Sequence, residues 1–175
     1  MTSPSPRKEN MAGHAALVVV LSIAAYVAAV SAQAARLGDP LDAFTNKFGQ
    51  PWRSVAGSIY DFEKCPGRTA VARWGITVRG GRVTAITRNA CPGEKLDPAE
   101  SAREAAQFLP SDASSPRPFQ TDDGWSAQAR RSASLAKQLP ASAFKTCEGA
   151  APPGTLSYTL SPERQSWWLA LGTCL

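Results

Sequence analysis

Histidine is almost absent from this sequence. The single histidine among 175 residues is His14, close to the amino terminus. The remainder of the chain therefore has no Ser-His or Cys-His catalytic pair, no histidine metal ligand, and not the commonest general base. This absence favours binding over catalysis, and we expect no cofactor.

Closely spaced cysteines are also absent. The chain has four cysteines, no two of them within 20 residues of each other: Cys65, Cys91, Cys147 and Cys174. Zinc sites normally need close pairs such as C-x-x-C, so we expect no metal. In an exported chain an even number of cysteines predicts disulfides. The layout favours Cys65–Cys91 and Cys147–Cys174, and the two other pairings of four cysteines remain open.

The sequence has no apolar run long enough for an ordinary membrane span. Its longest run, residues 15–30, covers 16 residues and follows Arg7 and Lys8. A span needs about 20 apolar residues. A basic start, a short apolar run and the small residues "SAQAA" predict a signal peptide over residues 1–34. We therefore expect export to the periplasm or the medium, and an uncleaved amino-terminal anchor is the alternative. Because no cysteine precedes Cys65, a lipid-bearing lipobox is excluded.

The chain after residue 34 has a repeated layout. Residues 62–91 and 144–174 both open with F-x-x-C-x-G, reach a four-residue turn ("RGGR" and "SPER"), and run into a second cysteine. Residues rich in valine, threonine, tyrosine and tryptophan flank the turns, as β-hairpins require. An apolar stripe predicts a helix after Asp39-Pro40, and another follows Asp97-Pro98.

These patterns predict an α+β fold in which short helices pack on one or two antiparallel sheets. We expect a first helix-plus-hairpin unit over residues 35–95 and a second over 96–175. The second unit would hold an inserted loop and hairpin near "FQTDDGW". Internal duplication is one explanation of the layout, and coincidence between two secreted hairpins is the other.

The first unit resembles small envelope modules of the BamE/SmpA type. The resemblance rests on Leu41, Phe48, Gly49 and Pro51, then Tyr60, then Gly81-Arg82-Val83 and Ile86. The tandem layout also resembles that of secreted β-lactamase inhibitor proteins. The resemblance implies a non-catalytic protein that works by contact with other proteins.

The first hairpin, "RWGITVRGGRVTAITRNAC", contains four arginines and no acid. Pairing its strands across Gly80-Gly81 places Arg73, Arg79, Arg82 and Arg88 on one face, with Trp74, Ile76 and Val78 on the other. Such a face would bind an anion, for example carboxylates of a partner protein or an anionic envelope surface. The plainer interpretation is a solvated face that protects the sheet.

In the second hairpin Leu156, Tyr158, Leu160, Trp167, Leu169 and Leu171 share one face and are expected in the core. Trp168 falls on the opposite face with Ser157 and Thr159. It is either an interface anchor or covered by the chain itself.

These features lead to three hypotheses. The first is an exported non-catalytic interaction module that uses the arginines, Trp168, or both. The second is a polyanion-binding protein; nucleic acid is disfavoured as its ligand by export and by the lack of interleaved aromatics. The third is a carboxylate-dependent glycan hydrolase, for which Asp61 with Glu63 or Asp122 with Asp123 would be the acids.

Overall fold

The computed structural model describes residues 34–68, 70–121, 125–146 and 149–173. The helices are α1 (Leu41–Phe48), α2 (Pro98–Ala106) and α3 (Ala133–Gln138), followed by a 3-10 turn (Ala141–Ala143). The strands are β1 (Arg53–Val55), β2 (Ile59–Lys64), β3 (Ala72–Arg79), β4 (Arg82–Asn89), β5 (Arg117–Gln120), β6 (Ser126–Arg131), β7 (Lys145–Thr146), β8 (Gly149–Ala150), β9 (Thr155–Leu160) and β10 (Ser166–Leu171). In these described segments no helix has the length and apolar character needed to cross a membrane.

Eight strands form one antiparallel sheet in the order β1-β2-β3-β4-β10-β9-β6-β5. The fold is therefore α+β, as predicted. The first half supplies α1 and then four strands of this sheet. The second half supplies another four strands, with α2 before them and α3 between β6 and β9, and the halves join where β4 pairs with β10. The duplication itself stays a prediction. The short pair β7-β8 lies outside the sheet.

The core lies between one face of the sheet and the helices. Phe44 of α1, Ala105 of α2 and Leu135 of α3 are buried in one cluster with Ile76 and Leu169 of the sheet. All six residues predicted for the core face of the second hairpin are at most 7% exposed. We call this the helix face of the sheet, and the opposite side the second face.

Both predicted helices form. Asp97 caps α2 by accepting a hydrogen bond from the Glu100 backbone N–H. The Asp39-Pro40 pattern predicts Asp39 as the cap of α1, and this is wrong, since Pro40 occupies that position and contributes no side-chain hydrogen bond. The carboxylate of Asp39 instead accepts from the Arg36 N–H, which ties the incoming chain into a turn.

The disulfide Cys65–Cys91 is present and closes the base of the first hairpin. Cys65 is 2% and Cys91 7% exposed, so the bridge is packed against the protein. Gly80 and Gly81 at the tip both have positive φ, as a type I′ hairpin turn requires. Cys147 and Cys174 lie outside the described residues, and so does their predicted bridge.

The predicted register of this hairpin is correct from the turn to Val83 and wrong from Ala85 onward. Thr77 pairs with Ala85 and Val78 with Val83, so Thr84 is an extra residue on β4. One extra residue moves every later side chain to the other face. Ile86 consequently enters the core at 0% exposure. Arg88 moves to the helix face, opposite Trp74.

Candidate functional site

The four predicted arginines do not form one face. Arg79 and Arg82 are an exposed cross-strand pair at the hairpin tip, where an Arg82 guanidinium nitrogen lies 3.5 Å from the Gly38 carbonyl oxygen. Arg73 lies at the hairpin base, with its guanidinium 3.6 Å from Cys91 Sγ. Arg88 is buried at 6% exposure. Of the predicted continuous basic face, the pair at the tip is exposed, Arg73 is half-buried and Arg88 is buried.

Arg88 is held by acids that the hairpin sequence does not contain. Its Nη2 lies 2.8 Å from Glu94 Oε1, and its Nη1 donates to the Asn89 carbonyl oxygen. Its Nε lies 3.8 Å from Glu104 Oε2 on α2. Two features of the sequence could have indicated the burial of Arg88. Ile86 is a large apolar residue that the predicted register assigned to a polar face, and Glu94 is an acid shortly after the hairpin. The partner on α2 is separated in sequence and gave no such signal.

The environment of this cluster shifts the pKa of two neighbouring groups. Burial acts to raise the pKa of Glu94, but the hydrogen bond from the Cys91 N–H and the charge of Arg88 outweigh it, so the pKa is lowered. Burial raises the pKa of Tyr158 to about 12, and the Glu104 charge adds to this shift. Both groups therefore keep their usual charge state at neutral pH.

The second face carries two rows of side chains that run across all eight strands. The pairing defines the first row as Arg53, Asp61, Gly75, Thr87, Trp168, Thr159, Ala127 and Phe119. The second row is Val55, Ile59, Thr77, Ala85, Ala170, Ser157, Ala129 and Arg117. Most side chains in the middle strands are short, whereas larger ones stand at both edges.

Trp168 is the one large side chain in the middle of these rows. It lies on the second face as predicted, opposite Thr159 and Thr87. Its ring centroid is 4.7 Å from that of Trp125, just before β6. The two rings form an aromatic pair that leaves Trp168 partly exposed. Trp125 was not predicted as its neighbour, because the pairing of β9 with β6 is long-range in the sequence.

The edges of the second face add apolar and basic side chains. Val55 and Ile59 are large apolar residues with 43% and 40% exposure. Arg117 is exposed at the opposite edge. Asp61 is the only acid of the two rows; it is 5% exposed, and its Oδ2 lies 2.5 Å from Arg53 Nε. An ion-paired, buried Asp61 leaves this face with a positive balance.

The carboxylates considered for catalysis do not form a described pair on one surface. Asp61 is held by Arg53, while Glu63 lines a pocket beside α1 and α2. Asp122 and Asp123 lie outside the described residues. Among the described residues no three histidine, cysteine, aspartate or glutamate side chains are grouped so that they could hold a metal ion.

Comparison with known proteins identifies no family for this chain. No protein-family model and no curated protein matches the chain. Among solved structures, a cysteine-rich secretory protein from Staphylococcus aureus is similar, at 15% identity and a TM-score of 0.33. The match covers 77% of this chain and 43% of that one, so this chain matches less than half of that protein's length. A TM-score of this size carries no argument about fold or function.

Proposed function

We propose that the protein is an exported, non-catalytic interaction module that binds a partner protein through the second face of its sheet. The observation that carries the proposal is the Trp125–Trp168 pair, set among short side chains. Tryptophan is enriched among the residues that dominate binding energy at protein interfaces. Short neighbouring side chains allow a partner to approach the rings closely.

The size of the second face fits such a role. Eight strands span about 34 Å at a strand spacing of about 4.8 Å, and six residues along a strand span about 20 Å. Ser157, Thr159 and Ala127 in the middle strands are at most 3% exposed, so the accessible part of this face consists of Trp168, Trp125 and the side chains at both edges. Because these accessible groups are spread over this span, a folded protein domain is a better match in size than a small molecule.

The charge of the surface suggests the chemistry of the partner. The whole chain has a formal charge of +5, and Arg117 together with the Arg79–Arg82 pair are exposed cations around the second face. Complementary charges accelerate encounter and select among partners. We therefore expect the partner to present acidic side chains. The resemblance to envelope modules that act by protein contact supports the same proposal.

Export is part of the proposal and is supported by the signal-peptide pattern and the disulfide. Amino-terminal sequencing of the exported protein should begin at Ala35. A start at Met1 in a membrane fraction would favour the anchored alternative.

The binding surface is tested by capture from the envelope or medium, followed by titration of the purified partner. Trp168→Ala and the double variant Arg79→Glu/Arg82→Glu should each weaken binding at least tenfold. Arg103→Gln is the matched control, because Arg103 is exposed on α2 and lies on the helix side. Equal affinity of all three variants would overturn the proposal.

The same titration separates a protein partner from a polyanion. With two phosphate contacts, at Arg79 and Arg82, polyanion affinity would fall about tenfold between 50 and 200 mM salt. It would also be insensitive to Trp168→Ala. Binding that depends on the arginines but not on Trp168 would favour the polyanion hypothesis.

A further inference from the structure

On the second face, the neighbouring strands β3 and β4 carry only short side chains. The pairing places Gly75 beside Thr87 and Thr77 beside Ala85. All four residues are half-buried, and none has a side chain longer than that of threonine. They form a shallow floor between the more exposed groups of this face. We call the surface formed by Gly75, Thr77, Ala85 and Thr87 the trough.

Larger side chains lie on both sides of the trough. On β2, Ile59 is the neighbour of Thr77 and is 40% exposed. On β10, Trp168 is the neighbour of Thr87 and is half-buried. The strands that carry these two large side chains are three positions apart in the sheet, which corresponds to about 14 Å. This width suits an α-helix, whose diameter with side chains is about 10–12 Å.

Gly75 is the residue at which the floor of the trough is most open. Its φ is not in the left-handed region, so the backbone conformation does not require glycine. A Cβ atom at this position would lie 3.6 Å from Thr87 Cβ, which is an ordinary van der Waals contact, so the fold itself has room for a side chain. A glycine inside a strand often marks a place where another backbone approaches closely. The space over Gly75 is therefore available to a binding partner.

The end of the trough at the hairpin tip is basic. Arg79 and Arg82 pair across the turn that follows Thr77, and both are exposed. Within the described part of the chain, neither arginine forms an ion pair. Two adjacent cations without an acid attract an anionic group from another molecule. A segment that lies in the trough should therefore carry acidic side chains at the end that reaches the tip.

We propose that the partner protein inserts an amphipathic α-helix into the trough, parallel to β3 and β4. A small residue of this helix lies over Gly75, and apolar residues at helical spacing contact Ile59 and Trp168. Acidic residues at one end of the helix pair with Arg79 and Arg82. An extended strand fits less well, because it occupies only about 4.8 Å of the width. The inference rests on the protein-binding function proposed above and specifies the part of the partner that the second face recognises.

The first test is photocrosslinking of the full exported protein in the envelope fraction or medium of its source. Benzoylphenylalanine replaces Thr77 in the trough, Arg117 at the far edge of the second face, or Arg103 on the helix side. Mass spectrometry then identifies the crosslinked residues of the partner. The Thr77 probe should mark one segment with apolar residues at helical spacing and acidic residues toward one end, and the Arg103 probe should not mark that segment.

The second test uses the segment marked from Thr77, synthesised as a peptide and titrated into the purified protein. Gly75→Val should weaken its binding at least tenfold, because the added methyl groups occupy the space over the floor. The variant should still fold, since a Cβ has room there and valine favours strands. Ala129→Val is the matched control, because it places the same side chain on β6 of the same face, outside the trough. It should change the affinity less than twofold.

The charge contacts are tested with the same peptide. Replacing its acidic residues by the corresponding amides should weaken binding to the native protein at least fivefold. The same replacement should have little effect on binding to the double variant Arg79→Gln/Arg82→Gln, because that variant lacks the cations that the acids contact.

Different results would overturn the helix and the binding function beneath it. If the Arg117 probe marks a partner but the Thr77 probe marks none, or marks a segment without helical spacing, the helix is wrong and protein binding stands. Equal peptide affinities of the native and Gly75→Val proteins would also overturn the helix. If neither Thr77 nor Arg117 marks a protein, both the helix and the protein-binding function are wrong.

Discussion

Arg88 is a buried cation whose charge is balanced by acids from two other parts of the chain. Glu94 follows it in a turn, and Glu104 comes from α2. The guanidinium also packs on Trp74, which covers its apolar face. A buried ion pair adds little net stability, but removing one partner is expensive because the other charge stays behind. The cluster therefore fixes where β4, its following turn and α2 meet.

At this scale we predict that Arg88→Ala lowers the free energy of unfolding by about 3 kcal/mol. The loss comes from uncompensated glutamate charge and from a cavity beside Trp74. Urea denaturation followed by circular dichroism measures it. Arg79→Ala, an exposed arginine of the same hairpin, should change the value by less than about 0.5 kcal/mol. Equal effects of the two variants would contradict the buried position of Arg88.

How far the sequence predicts single residues depends on where their partners lie. The alternation in the second hairpin correctly predicted that Trp168 lies on the other face of the sheet from its core neighbours, because that pattern is local. The same alternation failed at Arg88, since the extra residue Thr84 has no signature in the sequence. The pocket combines α1, α2 and β3, and no local pattern brings those segments together.

At the scale of elements, short structures are stabilised by contacts outside themselves. Helix α3 has only six residues, and Ser132 caps it by accepting from the Leu135 N–H. Asp112, from the loop after α2, accepts from the Ser132 and Ser134 hydroxyls and from the Ser134 N–H. These hydrogen bonds lower the pKa of Asp112 to about 2. A loop carboxylate thus stabilises the start of this helix.

We therefore predict a pH-dependent effect of Asp112→Asn. The folded-state pKa is about 2, below the usual 3.8, so the carboxylate stabilises the fold fully above pH 4 and progressively less as pH falls to 2. The variant should unfold at lower urea concentration than the native protein at pH 7, and the difference should shrink toward pH 2. Glu163→Gln, in an exposed turn, is the control variant measured over the same pH range. A pH-independent difference would contradict the role of the charge.

The first hairpin is likewise stabilised by a contact outside its strands, the Cys65–Cys91 disulfide. Cys65 and Cys91 are separated by 26 positions, and a loop of that length corresponds to about 3.5 kcal/mol of stabilisation in the chain-entropy model. The double variant Cys65→Ala/Cys91→Ala should lose stability of that order in urea denaturation. A loss below about 1 kcal/mol would mean that the packing of β2, β3 and β4 alone holds the hairpin.

For the molecule as a whole, the seam between β4 and β10 is the decisive contact. It pairs Trp167 with Arg88 and Leu169 with Ile86, so the two predicted units share one sheet and one core. Sequence patterns predicted the helices and hairpins of each half but not the pairing of β4 with β10. Strands this far apart in sequence pair because both bury apolar side chains in the same core, and no local sequence pattern indicates that pairing.

We predict that the protein unfolds in one cooperative transition. Tryptophan fluorescence and circular dichroism should give coincident urea curves, since neither half has a separate core. Leu169→Ala at the seam should lower the free energy of unfolding by about 2–5 kcal/mol while keeping a single transition. Two separate transitions in the native protein would contradict a shared core.

The order of strands along the chain has a consequence for biogenesis. Strand β10 follows every other strand in the sequence, yet it occupies the centre of the sheet between β4 and β9. During synthesis from the amino terminus, the edge of β4 that pairs with β10 stays unpaired, and such edges favour aggregation. The native sheet can close only after β10 has been synthesised. Truncated chains that end before β10 should therefore be protease-sensitive along their entire length, including the hairpin that the Cys65–Cys91 bridge closes.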